Sequence, residues 1–180
     1  MFTKDEAVLV VIDMQGKLAQ IVDRSEEVLE NVHRLVKGFQ AFDMPILWLE
    51  QYPKGLGPTL EPLKSTLEQT TTPIEKTEFS AYDNAEFKEK LDALGRKQIV
   101  LAGIETHICM YQTAVQLDEE GFDVQIASDA VSSRSRENHE SALRALATRN
   151  IQETNVETML YQLMRTSKDP AFKEILSIIK

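Results

Sequence analysis

Three residues far apart in the chain have the chemistry of a nucleophilic site: Asp13, Lys76 and Cys109. A thiol can attack an electrophilic carbon, a carboxylate can accept its proton, and an ammonium group can stabilise the sulfur as it ionises. Each residue also has a plainer reading. Cys109, the single cysteine, could be a small buried hydrophobe. Asp13, after an apolar run, could cap a turn. Lys76 could be a solvated surface lysine. What favours chemistry is position in the chain. Asp13 directly follows the apolar run Ala7 to Ile12, Lys76 lies in or after a short strand, and Cys109 lies a few residues past the run Gln98 to Ala102. In an open α/β sheet, ligands bind beyond the carboxyl ends of the strands, where strand order reverses.

The elements needed to bring them together are legible. Ala7 to Ile12 is apolar throughout, as suits a strand buried on both faces. A helix is expected from Ser25 as N-cap, with Val28, Val32, Leu35 and Phe39 as its stripe. Strands are expected at Ile46 to Leu49, Ile74 to Thr77, Gln98 to Ala102, Phe122 to Ala127 and Ile151 to Val156, the last at an edge. Helices are expected opening at Asp83, Thr106 and Ser135, then over Glu157 to Met164 and Pro170 to Ile179. Tyr52 to Thr72, rich in Pro and Gly, reads as a long loop with a short helix near Leu60 to Leu67; its Gly-Leu-Gly at 55–57 lacks the third glycine of a phosphate loop. The alternation predicts one domain over residues 1–180, a three-layer α/β/α sandwich on a mainly parallel sheet of about six strands, Rossmann-like.

Composition narrows the function. The 20 Lys and Arg against 29 Asp and Glu give a formal charge of −9. That field has the wrong sign for a nucleic-acid backbone or an anionic membrane. No apolar run reaches the ~18 residues of a membrane span, and the first six residues do not read as a leader. A lone cysteine allows no internal disulfide and fits a reducing, cytoplasmic setting. The expected partner is a small-molecule substrate. The apolar cluster Phe172, Ile175, Leu176, Ile178 and Ile179 must be covered, by its own domain or by a second copy, and a homo-oligomer (dimer or larger) is expected.

Cys109 is expected in the first turn of its helix, where free amides and the dipole, helped by Lys76, lower a thiol from its free value of ~8.5. Fast alkylation at about pH 6.5 would follow. Gln15, Trp48, Tyr52, Phe79, Tyr82, His107 and Tyr111 are candidates for lining the pocket, each with a core or backbone-bonding alternative, as is Arg134. His33 and His139 read as solvated.

Four stretches, VVIDMQ at 10–15, EKTEFSAY at 75–82, LAGIETHICMYQTA at 101–114 and DAVSSR at 129–134, resemble the isochorismatase-like cysteine hydrolases, in order and spacing, over roughly residues 7 to 165. LEQYPKGLG at 49–57 is similar to the branch of isochorismatase domain-containing proteins. The resemblance implies a triad of Asp13, Lys76 and Cys109 that hydrolyses an amide or related C–N bond through a covalent thioester. It further implies a cis peptide between Ile104 and Glu105, with the backbone amides of Glu105 and Cys109 facing the oxyanion. Nicotinamidases of this superfamily hold a metal with an Asp and two His after the second strand. Here that place reads Glu50-Gln51-Tyr52-Pro53-Lys54-Gly55, and His107 with Cys109 supplies two ligands at most, so no metal and no cofactor are expected. The alternative is a catalytically silent member of the fold that works by binding a partner.

Overall fold

The computed structural model describes residues 1–180. Six parallel strands, β1 (Ala7–Ile12), β2 (Ile46–Gln51), β3 (Pro73–Lys76), β4 (Gln98–Ile104), β5 (Asp123–Ser132) and β6 (Gln152–Thr154), pair in the order β3-β2-β1-β4-β5-β6. Around them lie α1 (Gly16–Ile21), α2 (Ser25–Ala41), α3 (Pro53–Leu56), α4 (Leu63–Leu67), α5 (Ala85–Leu94), α6 (Tyr111–Glu119), α7 (Arg136–Ala147), α8 (Val156–Met164) and α9 (Phe172–Ile179). This is an α/β Rossmann-like sandwich.

Alternation along β1 explains the layers. Ala7, Leu9 and Val11 join the core shared with α2, α8 and α9, while Val8, Val10 and Ile12 join the core shared with α5, α6 and α7. Both faces of the strand are therefore apolar, as its unbroken run requires. The C-terminal helix seats Ile175 and Ile178 in its own domain's core with Phe172 and Ile179 packed against it, and leaves Leu176 half-buried outside it.

Chain order reverses between β1 and β4. From β1 the sheet grows outward to β2 and β3 on one side; from β4 it grows to β5 and β6 on the other. The crevice at the carboxyl ends of β1 and β4 is thus the switch point. Gly103 makes the two strands fit there. It pairs with Ile12, has φ +128°, and a Cβ on it would sit 2.0 Å from the Ile12 carbonyl oxygen.

Several boundaries differ from expectation. Asn84, not Asp83, caps α5 by accepting from the Phe87 amide, because Asp83 is still inside a short 3₁₀ turn, Ala81–Asp83. Ser25 is the first residue of α2 and not its cap; Arg24, in the left-handed region, takes that place. β5 runs on to Ser132 through a break in register, between Leu101 opposite Ile126 and Gly103 opposite Val131. Asp129 lies in that irregular stretch and accepts from the Val156 amide at the start of α8. Helix α1 and the four-residue α3 have no stripe long enough to read.

Candidate active site

Asp13 leaves β1 with φ +57°, a left-handed turn that an aspartate tolerates better than most residues. Its carboxylate is buried. The Lys76 Nζ donates to Asp13 Oδ2 at 2.9 Å, with both side chains closed to solvent (0% and 3% exposed). The loop after β3 curls around the same ammonium group, which also donates to the carbonyls of Glu78 at 3.2 Å and Phe79 at 3.4 Å, and to Gln51 Oε1. The Ala81 amide then donates to Thr113 Oγ1 at 2.9 Å, tying that loop to α6.

Cys109 lies in a single π-helical turn, Thr106–Met110, that opens α6. It sits on the α5–α6–α7 side of the sheet and is buried. The Ile104–Glu105 peptide before it is cis. The Glu105 carbonyl accepts from the Ile108 and Met110 amides, while the Glu105 amide itself has no acceptor within the protein. Glu105 Oε1 accepts from both the backbone amide and Nε of Arg134, each at 3.0 Å, which fixes the turn after β4 to the turn after β5.

The structure therefore brings Asp13, Lys76 and Cys109 together from three strand ends. The electrostatics correct one expectation. The thiol is not lowered; burial and the neighbouring Asp13 carboxylate push it up to about 12, against a smaller downward pull from Lys76. The sulfur is a neutral thiol at rest. Burial also raises the Asp13 carboxyl above its ordinary value, with Lys76 and the thiol opposing that rise. Asp13 Oδ1 has no settled hydrogen-bond partner although it is buried.

The other sequence candidates separate. Trp48 projects into the opposite core and donates to Thr59 Oγ1. Gln15 is sealed from solvent and gives both its amide donors to the Gln51 and Gly57 carbonyls, while its oxygen accepts the Gln51 amide. Gln15 thus holds backbone and Trp48 holds the Thr59 hydroxyl, and neither polar group is free for a guest molecule. Tyr82 packs edge-on against Phe122, under the Lys88 ammonium. Tyr52 and Phe79 are exposed on the loops nearest Lys76, and Tyr111 is half-buried at the start of α6. A cleft of about 280 Å³ lined by Tyr52, Lys54, Lys76, Thr77 and Asn84 opens on that side. His107 hydrogen-bonds to Ser133 at 2.9 Å. His139 is not solvated: it is buried and hydrogen-bonds to Thr106 in the turn that carries Cys109. His33 is half-buried against Thr66. Glu50 accepts from the Thr59 amide and hydroxyl, and no three His, Cys, Asp or Glu side chains gather where a metal would sit. The residues after β2 do not fit the metal site of nicotinamidases.

Comparison with known proteins gives the family and supports the fold. Residues 7–158 match the family model described as the isochorismatase domain. The chain belongs to the isochorismatase family. Isochorismatase domain-containing protein 1 of Danio rerio is 37% identical over 93% of this chain and 59% of its own length, so the chain spans under two thirds of that relative. Isochorismatase domain-containing protein 2 of the same organism is 36% identical over 96% of this chain and 86% of its own. Among solved structures, the MAR1 ribonuclease of Caenorhabditis elegans superposes with a TM-score of 0.93 at 32% identity, over 99% of this chain and 91% of that one. YcaC from Pseudomonas aeruginosa, solved with hexane-2,5-diol and covalent acrylamide, superposes with a TM-score of 0.91 at 25% identity, over 98% and 90%. No helix here is long and apolar enough to cross a membrane.

Sequence reasoning missed Gln51. Its only signal was the polar pair Glu50 and Gln51 closing a strand that is apolar over Ile46 to Leu49.

Proposed function

We propose that this chain hydrolyses an amide or related C–N bond of a small molecule, with Cys109 as nucleophile, Asp13 as proton acceptor and donor, and Lys76 as the fixed counter-charge. The observation that supports this best is Asp13 Oδ1, a buried carboxylate oxygen without a settled partner beside a buried thiol. Leaving such an acceptor unmet costs roughly 1–3 kcal/mol, a cost that a structural carboxylate normally avoids.

The neutral thiol sets the order of events. As Sγ bonds to the carbonyl carbon, its proton passes to Asp13, and the oxyanion receives the free Glu105 amide together with that of Cys109. The carbon–nitrogen bond then breaks, and Asp13 returns the proton to the leaving amine. A water molecule attacks the resulting thioester while Asp13 takes one of its protons. The carbon–sulfur bond breaks and the sulfur recovers that proton. The net change is addition of water across the C–N bond. Lys76 holds the carboxylate in place throughout and compensates its charge.

The test is turnover of a panel of amides, ureas and carbamates, with RNA included because one relative is named a ribonuclease. Turnover of at least one small substrate, lost in Cys109→Ala while the fold persists, is the expected result. Equal rates in Cys109→Ala and the unsubstituted protein would remove the nucleophile. Saturable partner binding with no turnover would favour the silent-binder alternative, and cleavage of RNA alone would replace the substrate class. We infer assembly into a homo-oligomer as well, in the manner of the YcaC of Escherichia coli, which is described as octameric; a monomer in sedimentation at micromolar concentration would refute it. A lone buried thiol also suits a reducing cytoplasm.

A further inference from the structure

The Lys76 ammonium has three hydrogens and four acceptors around it. Two of those acceptors are backbone carbonyls at 3.2 and 3.4 Å. The other two are side-chain oxygens, Asp13 Oδ2 and Gln51 Oε1. Gln51 is itself held at three points. Its Nε2 donates to the Thr77 carbonyl, its backbone amide donates to Gln15 Oε1, and its carbonyl accepts from Gln15 Nε2. Gln15 in turn is fixed to the Gly57 carbonyl. The amide oxygen facing Lys76 is therefore aimed by β1, β2 and the strand end at β3, not by chance contact.

The chemistry of that oxygen matters. An amide accepts a hydrogen bond from the ammonium without opposing its charge. A carboxylate at the same place would form a second ion pair and divert the field of Lys76 from Asp13 and the sulfur.

We propose that Gln51 is a positioning residue that orients the Lys76 ammonium on the Asp13–Cys109 pair with a neutral acceptor. The proposal rests on the triad reading above. Gln51 touches no reacting atom. It acts through Lys76, and Gln15 acts through Gln51.

The experiment uses the sole cysteine as reporter. Iodoacetamide labelling of the folded protein is followed by intact mass from pH 7 to 9.5, in the unsubstituted chain, Gln51→Met, Gln51→Glu and Asp13→Asn. Gln51→Met keeps the shape and removes the oxygen; Gln51→Glu keeps the oxygen and adds a charge. Weakening Lys76's hold on the sulfur raises the thiol by about one pH unit or more. The accompanying gain in nucleophilicity leaves labelling at least about threefold slower at a given pH, with Gln51→Glu the slower of the two. A merely structural Gln51 predicts a lower melting temperature with the pH–rate curve unmoved, and that result overturns the proposal. If one variant does not fold, the other decides. Asp13→Asn separates this from the reading beneath it. Faster labelling in Asp13→Asn with both Gln51 variants at the unsubstituted rate leaves the triad standing and removes Gln51. Unchanged labelling in Asp13→Asn removes the triad and the proposal with it.

Discussion

Replacing Lys76 by Met tests the heart of the site as a stability experiment. Lys76 and Asp13 form a buried pair at 2.9 Å. At an effective dielectric of about 20, their attraction at that distance is about 6 kcal/mol. Methionine removes it and leaves a carboxylate in an apolar setting. The cheaper escape is for Asp13 to fold with a proton on. Its unfolded value is near 3.8. Keeping that proton at pH 7 therefore costs about 4 kcal/mol, at 1.36 kcal/mol for each pH unit. In the unsubstituted protein the folded carboxyl is already raised, so its contribution favours folding at low pH and declines as pH climbs from 3.8 through the folded value. Removing Lys76 extends that decline upward. Lys76→Met should therefore be less stable at pH 7, by at most about 4 kcal/mol, with the deficit shrinking by up to about 1.4 kcal/mol per pH unit as pH falls towards the folded value of the unsubstituted protein. Urea unfolding at four pH values reads this directly. The double substitution with Asp13→Asn should recover most of the loss. A deficit that does not change with pH, or a double variant as weak as the single one, would refute a charged pair at this position.

Two further substitutions probe the neighbours. Asp13→Asn removes the charge that helps hold the proton on sulfur, so labelling by iodoacetamide at pH 8 should quicken at least about threefold while turnover falls at least about a hundredfold; both moving in the same direction would contradict the assigned roles. Gly103→Ala places a methyl 2.0 Å from the Ile12 carbonyl at a positive φ, and should lower stability by more than about 2 kcal/mol by prising β1 from β4; a melting temperature equal to that of the unsubstituted protein would show that the strands can part without cost.

Much of the architecture was legible because the strands that matter are apolar on both faces. Ala7 to Ile12 and Gln98 to Ala102 leave few alternatives, and caps such as Ser135 and the stop at Gly95 act through neighbouring atoms. The far end of β5 was not legible, since Ser128 and Asp129 interrupt its pattern where the register breaks. The positions of Asp13, Lys76 and Cys109 followed from strand order. Their protonation did not. A helix start argues for a lowered thiol, but burial and a carboxylate at close range outweigh it, and both are facts of packing between segments far apart in sequence. His139 misled in the same way: its charged neighbours suggest solvent, yet the imidazole turns inward to Thr106. Gln15 looked like a ligand contact, but only the fold shows that its hydrogen bonds are all taken by backbone.

The two halves of the sheet contribute unequally to the sulfur's surroundings. The first 76 residues carry the acid and the base it faces, and the second half carries the sulfur itself. While a ribosome is still releasing the chain, Cys109 emerges as an everyday thiol, open to oxidants and stray electrophiles. Docking of β4 beside β1 then closes it off. The finished molecule thus keeps its most vulnerable atom quiet towards the surrounding medium, and a partly unfolded copy carries the more readily damaged cysteine of the two.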